Sequence, residues 1–142
     1  MTASSFNALN AALFTRLSGG TALVTALGGT AIYPVERLIN HGFAVEGQPQ
    51  PIVIWSYAAA NAENMTPNDS VNDVIYIRAY TATAKQGGTI DGLIASLMET
   101  SLTVTGWNNF WLAREEEIYM PQTDAAGKTT WSCGAYYRVR LD

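Results

Sequence analysis

Few residues of this chain have the types and spacing that catalysis or ligand binding requires. Its only histidine, His41, has no cysteine and no pair of carboxylates near it, so no nucleophile with a base is indicated. Its only cysteine, Cys133, falls on the apolar face of a predicted strand, where a buried thiol is expected. Asp69 and Asp73 lack the spacing of a calcium-binding loop and are expected in a solvated loop. The glycine pairs form no phosphate-binding motif. From these observations together we predict no catalytic residue, no cofactor site and no metal site.

The run Arg-Glu-Glu-Glu at residues 114–117 is the most unusual charged feature of the chain. With strict alternation along a strand, Glu115 and Glu117 face one side while Arg114 and Glu116 face the other. Both faces then carry charge, although one of them should be core. Two carboxylates can serve as acid and base, but neighbours on one face mainly repel each other. We therefore favour either a solvent face with cross-strand ion pairs or an intersubunit or channel face.

Side chains around this run fit the same two alternatives. Arg138 and Arg140 on the returning strand offer opposite charges for cross-strand pairing. Trp111 and Tyr119 are residue types that are enriched at interfaces. For His41, a position at a surface or an interface is expected. The candidate interface or lumen residues are Arg114, Glu115, Glu116, Glu117, Trp111, Tyr119, Arg138, Arg140 and His41.

Composition favours a globular domain whose surface is either an extensive contact surface or rich in neutral polar residues. Apolar residues make up 48% of the 142 residues, which argues against a disordered chain. Charged residues make up 14%, against about 25% in an average soluble domain. The net charge of −4 and the scattered basic residues argue against a basic patch for DNA or a membrane. We also expect no signal peptide and no membrane helix, and the lone cysteine suits a reducing compartment.

Periodicity predicts a single α+β domain, residues 1–142, in which an antiparallel β-sheet packs against two main helices and ends in a long C-terminal β-hairpin. The first main helix begins near Ser5. The second begins at Ile90, after a break at the glycines 87 and 88, with Asp91 early in it to complement the helix dipole. The other predicted elements are a short helix at Thr21–Leu27, strands at Ala31–Tyr33, Ile52–Ala58, Val71–Thr81, Trp107–Met120 and Thr129–Leu141, an extended stretch at Leu102–Thr105, and loops at Val35–Pro51, Ala59–Ser70 and Pro121–Lys128.

Several short patterns together form a familiar layout. The first is the opening helix, Ala12-Leu13-Phe14-Thr15-Arg16-Leu17 through Leu23, followed by Leu27-Gly28-Gly29 and Ile32-Tyr33-Pro34. The others are the strand at Pro51-Ile52-Val53-Ile54, the strand Asp73 to Tyr80 leading to the helix Ile90 to Leu102, and the ending Tyr136-Tyr137-Arg138-Val139-Arg140-Leu141. Over nearly the whole chain this layout resembles the tail terminator, or tail-completion, proteins of long-tailed phages and gene transfer agents. It departs at Val35–Gln50, which is longer than the proline-rich turn expected there.

The resemblance implies a structural virion protein without enzymatic activity. Such proteins form a hexameric ring at the head-proximal end of the tail, cap the tail tube, stop its polymerisation and join the tail to the head connector. The implied partners are other copies of the chain, the tail tube protein and the head–tail connector or stopper protein. DNA passes through the lumen without specific binding, no membrane or cofactor is involved, and assembly takes place in the host cytoplasm.

Two alternatives to a tail terminator stay open from the sequence. The first is another head–tail connector or stopper component, or a tail-tube subunit. The second belongs to a different class and is a small α+β module that binds a small molecule or a peptide, or an enzyme that uses His41.

Overall fold

A computed structural model of the chain describes residues 5–35, 51–65, 68–123 and 125–142. The predicted loop Val35–Pro51 lies outside the described residues except at its two ends, and so does His41.

The described part contains three helices and six strands. In chain order these are α1 (Ser5–Ser18), α2 (Thr21–Leu27), β1 (Ile32–Pro34), β2 (Ile52–Met65), β3 (Asn68–Thr81), α3 (Ala84–Leu97), β4 (Thr103–Val104), β5 (Trp107–Thr123) and β6 (Thr129–Leu141). The strands form one sheet in the order β1-β2-β3-β6-β5-β4. Every neighbouring pair is antiparallel except β1 with β2. The predicted α+β fold with a C-terminal hairpin is confirmed, and the parallel pair at the edge is an addition to it.

The two opening helices follow their predicted boundaries closely. Helix α1 buries Leu9, Leu13 and Leu17, which recur at the spacing of one helical face. Phe6 continues the same spacing toward the N-terminus but is 44% exposed. It lies in the first turn of α1, where its ring meets Tyr57 with 4.8 Å between the ring centres.

The hairpin of β2 and β3 is longer than the sequence predicts. The polar segment Ala59–Ser70 was expected as a loop, but pairing continues from Ala59 opposite Val74 to Met65 opposite Asn68. The ladder is made by backbone groups, so polar residues can extend it once the apolar stretch has set the register. A bulge between Tyr57 and Ala59 separates the apolar stretch of β2 from its polar extension.

Helix α3 begins at Ala84 rather than at the predicted Ile90. Thr83 caps it, because its side-chain oxygen accepts a hydrogen bond from the backbone N–H of Gln86 at 3.2 Å. The interpretation of Gly87 and Gly88 as a break is therefore wrong, and both lie inside the helix. Gly87 is buried there because α3 approaches the sheet closely at this point.

The helices cover one face of the sheet and form the main core with it. Side chains of β3 and β6 alternate between the two faces of the sheet, and those on the inner face are buried under the helices. The core residues of these two strands are Ile75, Ile77, Ala79, Ala135, Tyr137, Val139 and Leu141. Asp73 lies in β3, as the predicted strand Val71–Thr81 requires, and is 0% exposed. The other expectation for Asp73, a solvated loop, is therefore wrong.

The opposite side of the sheet, called the outer face below, carries a smaller apolar cluster. Ile52, Ile54 and Tyr80 are buried there, and Ala31 and Val35 pack against them. This end of the outer face is therefore covered, while side chains further along β6 and β5 are more exposed.

Candidate functional site

A β-bulge in β5 decides which side each charged residue of the 114–117 run faces. Arg114 pairs with Tyr137, and the next paired residue along β5 is Glu117, opposite Ala135. Three steps along β5 thus match two along β6, and the extra residue breaks the alternation. Arg114 and Glu117 share the helix-covered side of the sheet, so their predicted placement on opposite faces is wrong.

Arg114 is held in a polar cluster between the sheet and α3, called the Asp91 cluster. Its Nη1 and Nη2 donate to Asp91 Oδ1 and Oδ2 at 3.0 and 2.6 Å, and Nη1 also donates to Tyr137 OH at 2.7 Å. Glu117 Oε1 accepts from Arg114 Nη2 at 3.1 Å. Tyr119 OH donates to Asp91 Oδ2 at 2.8 Å. Five side chains from α3, β5 and β6 therefore satisfy one another.

The electrostatics of the Asp91 cluster indicate a structural role. Asp91 is 2% exposed, and a buried carboxylate is tolerated when a bidentate arginine neutralises it. The hydrogen bond to Asp91 is the main reason that the pKa of Arg114 is raised. Burial, followed by the hydrogen bond to Asp91, raises the pKa of Tyr119 to about 12. Hydrogen bonds among Asp91, Arg114, Tyr119 and Tyr137 thus join α3 to β5 and β6.

The sequence interpretation missed the role of Asp91. It was expected at the start of a helix, but α3 begins at Ala84, so Asp91 lies in its middle. A signal was present, since Asp91 precedes Ile94 by three positions and Met98 by seven, and both are buried. These spacings put Asp91 on the apolar face of α3, where a carboxylate needs a partner.

Other predicted residues of the hairpin lie on the outer face. Arg138 Nε donates to Glu115 Oε1 at 2.7 Å, so the predicted cross-strand ion pair is confirmed for these two. Both side chains are more than a third exposed, so the pair adds little stability. Trp111 pairs with Arg140 on the same face and is 46% exposed. Glu116 is exposed and forms no ion pair with the described residues.

The outer face of β3 and β6 also carries an arginine held among tyrosines, which the sequence interpretation did not single out. The guanidinium carbon of Arg78 lies 4.7 Å from the ring centre of Tyr76 and 5.6 Å from that of Tyr80. Tyr136 from β6 meets Tyr76 with 4.8 Å between ring centres. This Arg78 cluster joins an aromatic surface to a positive charge, a combination frequent at protein interfaces.

The described residues contain no site with the marks of catalysis. They hold no group of three or more histidine, cysteine or acidic side chains that could bind a metal ion. Cys133 is buried, and burial raises the pKa of its thiol, so it is a poor nucleophile. A groove of about 450 Å³ lies between α1 and β4. Its one charged lining residue, Arg16, donates to the backbone oxygens of Leu97, Thr100 and Ser101.

The helices of the described part give no membrane-spanning candidate, because none is both long and apolar enough.

The complete fold has counterparts among solved structures. A chain from the virion of a native gene transfer agent particle matches with a TM-score of 0.69 and 15% sequence identity, covering 97% of both chains. A second solved structure matches with a TM-score of 0.54 and 12% identity, covering 96% of both chains. No protein-family model and no curated protein sequence matches the chain. At these identities the likeness establishes a shared fold over essentially the full length.

Proposed function

We propose that this chain is a structural component of a phage-like particle and acts as its tail terminator. The observation that carries the proposal is the likeness in fold, over 97% of the chain, to a chain of a gene transfer agent virion. The short sequence patterns that resemble tail terminators support the same class of particle.

In the proposed mechanism the protein works by surface complementarity, without bond chemistry or a cofactor. Copies of the chain close into a ring of six on the head-proximal end of the tail tube. The ring prevents the tube protein from adding further subunits and presents its other side to the head connector or stopper protein. A head-to-tail contact that closes on itself produces such a ring. DNA passes through the lumen without specific binding, and the protein moves from the host cytoplasm into the virion tail.

Features of the C-terminal hairpin suit an assembly role. Strand β5 exposes large apolar side chains, Trp111 at 46% and Met120 at 49%. Within the described residues β4 pairs with β5 only at Trp107 and Asn108, so the rest of this β5 edge is open to a neighbour. Open edges and exposed apolar groups are liabilities for a lone domain and become useful when a partner covers them.

Deletion of the protein from its particle tests the proposal. Particles that lack it should contain tails of abnormal length that fail to join heads, because nothing stops the tube or docks the connector. Electron microscopy of such lysates measures both properties. Restoring the wild-type chain, or a His41→Ala variant, should restore normal tails if His41 has no catalytic role. Tails of normal length joined to heads in the absence of the protein would rule out the proposal.

A further inference from the structure

On the outer face of β3, the side chain of Arg78 lies between two tyrosine rings that other contacts hold in place. Its guanidinium carbon is 4.7 Å from the ring centre of Tyr76 and 5.6 Å from that of Tyr80. The ring of Tyr76 packs against Tyr136 of β6, and Tyr80 is buried in the smaller apolar cluster. The rings thus position the guanidinium before any ligand arrives, so binding requires little further ordering.

No carboxylate among the described residues pairs with Arg78. It takes part in none of the ion pairs in this part of the chain, and its Nε atom is buried without a hydrogen-bond partner there. Contact with the tyrosine rings compensates the charge only in part, because it leaves N–H donors of the guanidinium unused. A buried donor without an acceptor costs free energy that an acceptor entering the Arg78 cluster would recover.

The surroundings of Arg78 indicate which kind of acceptor fits. Residues 71–80 of β3 pair with β2 on one side and with β6 on the other, so their backbone N–H groups are engaged in the sheet. A phosphate site usually adds backbone N–H groups to its cations. One guanidinium without such groups matches a single carboxylate, whose two oxygens accept parallel hydrogen bonds from it. Arg78, Tyr76 and Tyr136 are partly exposed, so a ligand can reach both the charge and the rings.

We propose that the Arg78 cluster is a binding site for a carboxylate attached to an apolar or aromatic group. The carboxylate accepts hydrogen bonds from Arg78, and the apolar part of the ligand packs against the rings of Tyr76 and Tyr136. The same chemistry is offered by a free small acid and by an acidic side chain of another protein. This inference goes beyond the proposed function and does not depend on it, since one copy of the chain supplies the whole site.

An NMR titration of the isotope-labelled protein with benzoate tests the site. Benzoate should shift the backbone amide signals of residues 76–80 and of the paired residues 132–136, and the shifts should saturate. Acetate, which lacks the ring, should bind at least about threefold more weakly because it loses the contact with the tyrosines. Phosphate should also bind more weakly than benzoate. Chloride keeps the ionic strength constant, so that screening is equal in every titration.

Variants separate recognition by the guanidinium from charge and from folding. Arg78→Lys keeps the charge but removes the planar fork, and it should weaken benzoate binding by at least about tenfold. Tyr136→Leu should weaken the binding of benzoate but not that of acetate. Lys85→Gln is the matched control, because it removes one positive charge from an exposed position in α3 and should leave both affinities unchanged. Thermal unfolding by circular dichroism shows whether each variant is folded.

A short peptide with blocked ends and one glutamate beside a phenylalanine distinguishes the two sources of the carboxylate. Shifts that depend on Arg78 with both peptide and benzoate assign the site to acidic side chains of a partner, and shifts with benzoate alone assign it to a free small acid. Benzoate shifts that do not saturate, or that are unchanged in Arg78→Lys, would overturn the proposal. Tighter binding of phosphate than of benzoate would overturn it as well. None of these results bears on tail length, so the tail terminator proposal is tested separately.

Discussion

Asp91 lies in α3 and Arg114 in β5, and each neutralises the charge of the other. The carboxylate would be costly inside the core, and the guanidinium anchors the bulge of β5 to α3. Their bidentate contact, with distances of 3.0 and 2.6 Å, lies where the Asp91 side chain is 3% exposed. Removing one partner leaves a buried charge, while removing both leaves only apolar surface.

The first prediction concerns Arg114→Met, which should lower the free energy of unfolding by about 3 kcal/mol, because Asp91 then stays buried without its main partner. Adding Asp91→Leu to this variant should recover part of the loss, since the uncompensated charge is gone. Urea denaturation at pH 7 measures both changes.

Arg138→Met is the matched control for this prediction. Its ion pair with Glu115 is solvent-exposed, so the substitution should have a much smaller effect on stability. Equal losses for Arg114→Met and Arg138→Met would show that the Asp91 cluster contributes no more than a surface pair.

At the scale of elements, α3 depends on a glycine that looks unfavourable in the sequence. Glycine in a helix interior costs about 1 kcal/mol relative to alanine, so two adjacent glycines are readily interpreted as a break. Packing explains why glycine is nevertheless needed at position 87. A Cβ at this position would overlap Cys133 Sγ and come within 2.9 Å of Thr81 Oγ1, whereas a Cβ at Gly88 or Gly92 would meet nothing within 4 Å.

The second prediction follows from this difference between glycines of one helix. Gly87→Ala should destabilise the fold by about 1 to 3 kcal/mol through overpacking, although alanine is the better helix former. Gly88→Ala and Gly92→Ala should instead stabilise it by up to about 1 kcal/mol each. Urea denaturation of the three variants measures these changes in stability. Adding Cys133→Ala to Gly87→Ala should reduce the loss of stability, because it removes the sulfur that the new Cβ overlaps. A stabilising Gly87→Ala would mean that α3 does not need its close approach to β6.

The elements that the sequence predicts well are those with a single regular period. Strand β6 pairs with β3 without a bulge, and its bounds and the buried position of Cys133 agree with the prediction. Strand β5 contains two bulges, and an extra residue leaves no mark in composition, so counting along the strand misplaces Arg114 and Glu117. The start of α3 is missed because local sequence cannot distinguish a glycine that ends a helix from one that admits a neighbour.

For the whole molecule, Asp73 connects stability to pH. It is 0% exposed, and neither of its oxygens has a hydrogen-bond partner in the described structure. Burial raises the pKa of its carboxyl from 3.8 to about 6. The folded state therefore binds this proton more tightly than the unfolded chain does. The stabilisation from protonated Asp73 is fully present below pH 3.8 and is lost as the pH rises through about 6.

The third prediction is that Asp73→Asn stabilises the protein at neutral pH by an amount that vanishes in acid. The pKa rise corresponds to about 3 kcal/mol, since one pKa unit is worth about 1.4 kcal/mol. The variant should thus exceed the wild type by up to about this amount above pH 7, and the difference should shrink between pH 6 and 4. Urea denaturation at a series of pH values measures it. The control Glu99→Gln removes one negative charge from an exposed position, which separates net charge from burial. If the two variants gave the same pH-independent difference, a neutralising group would have to lie next to Asp73.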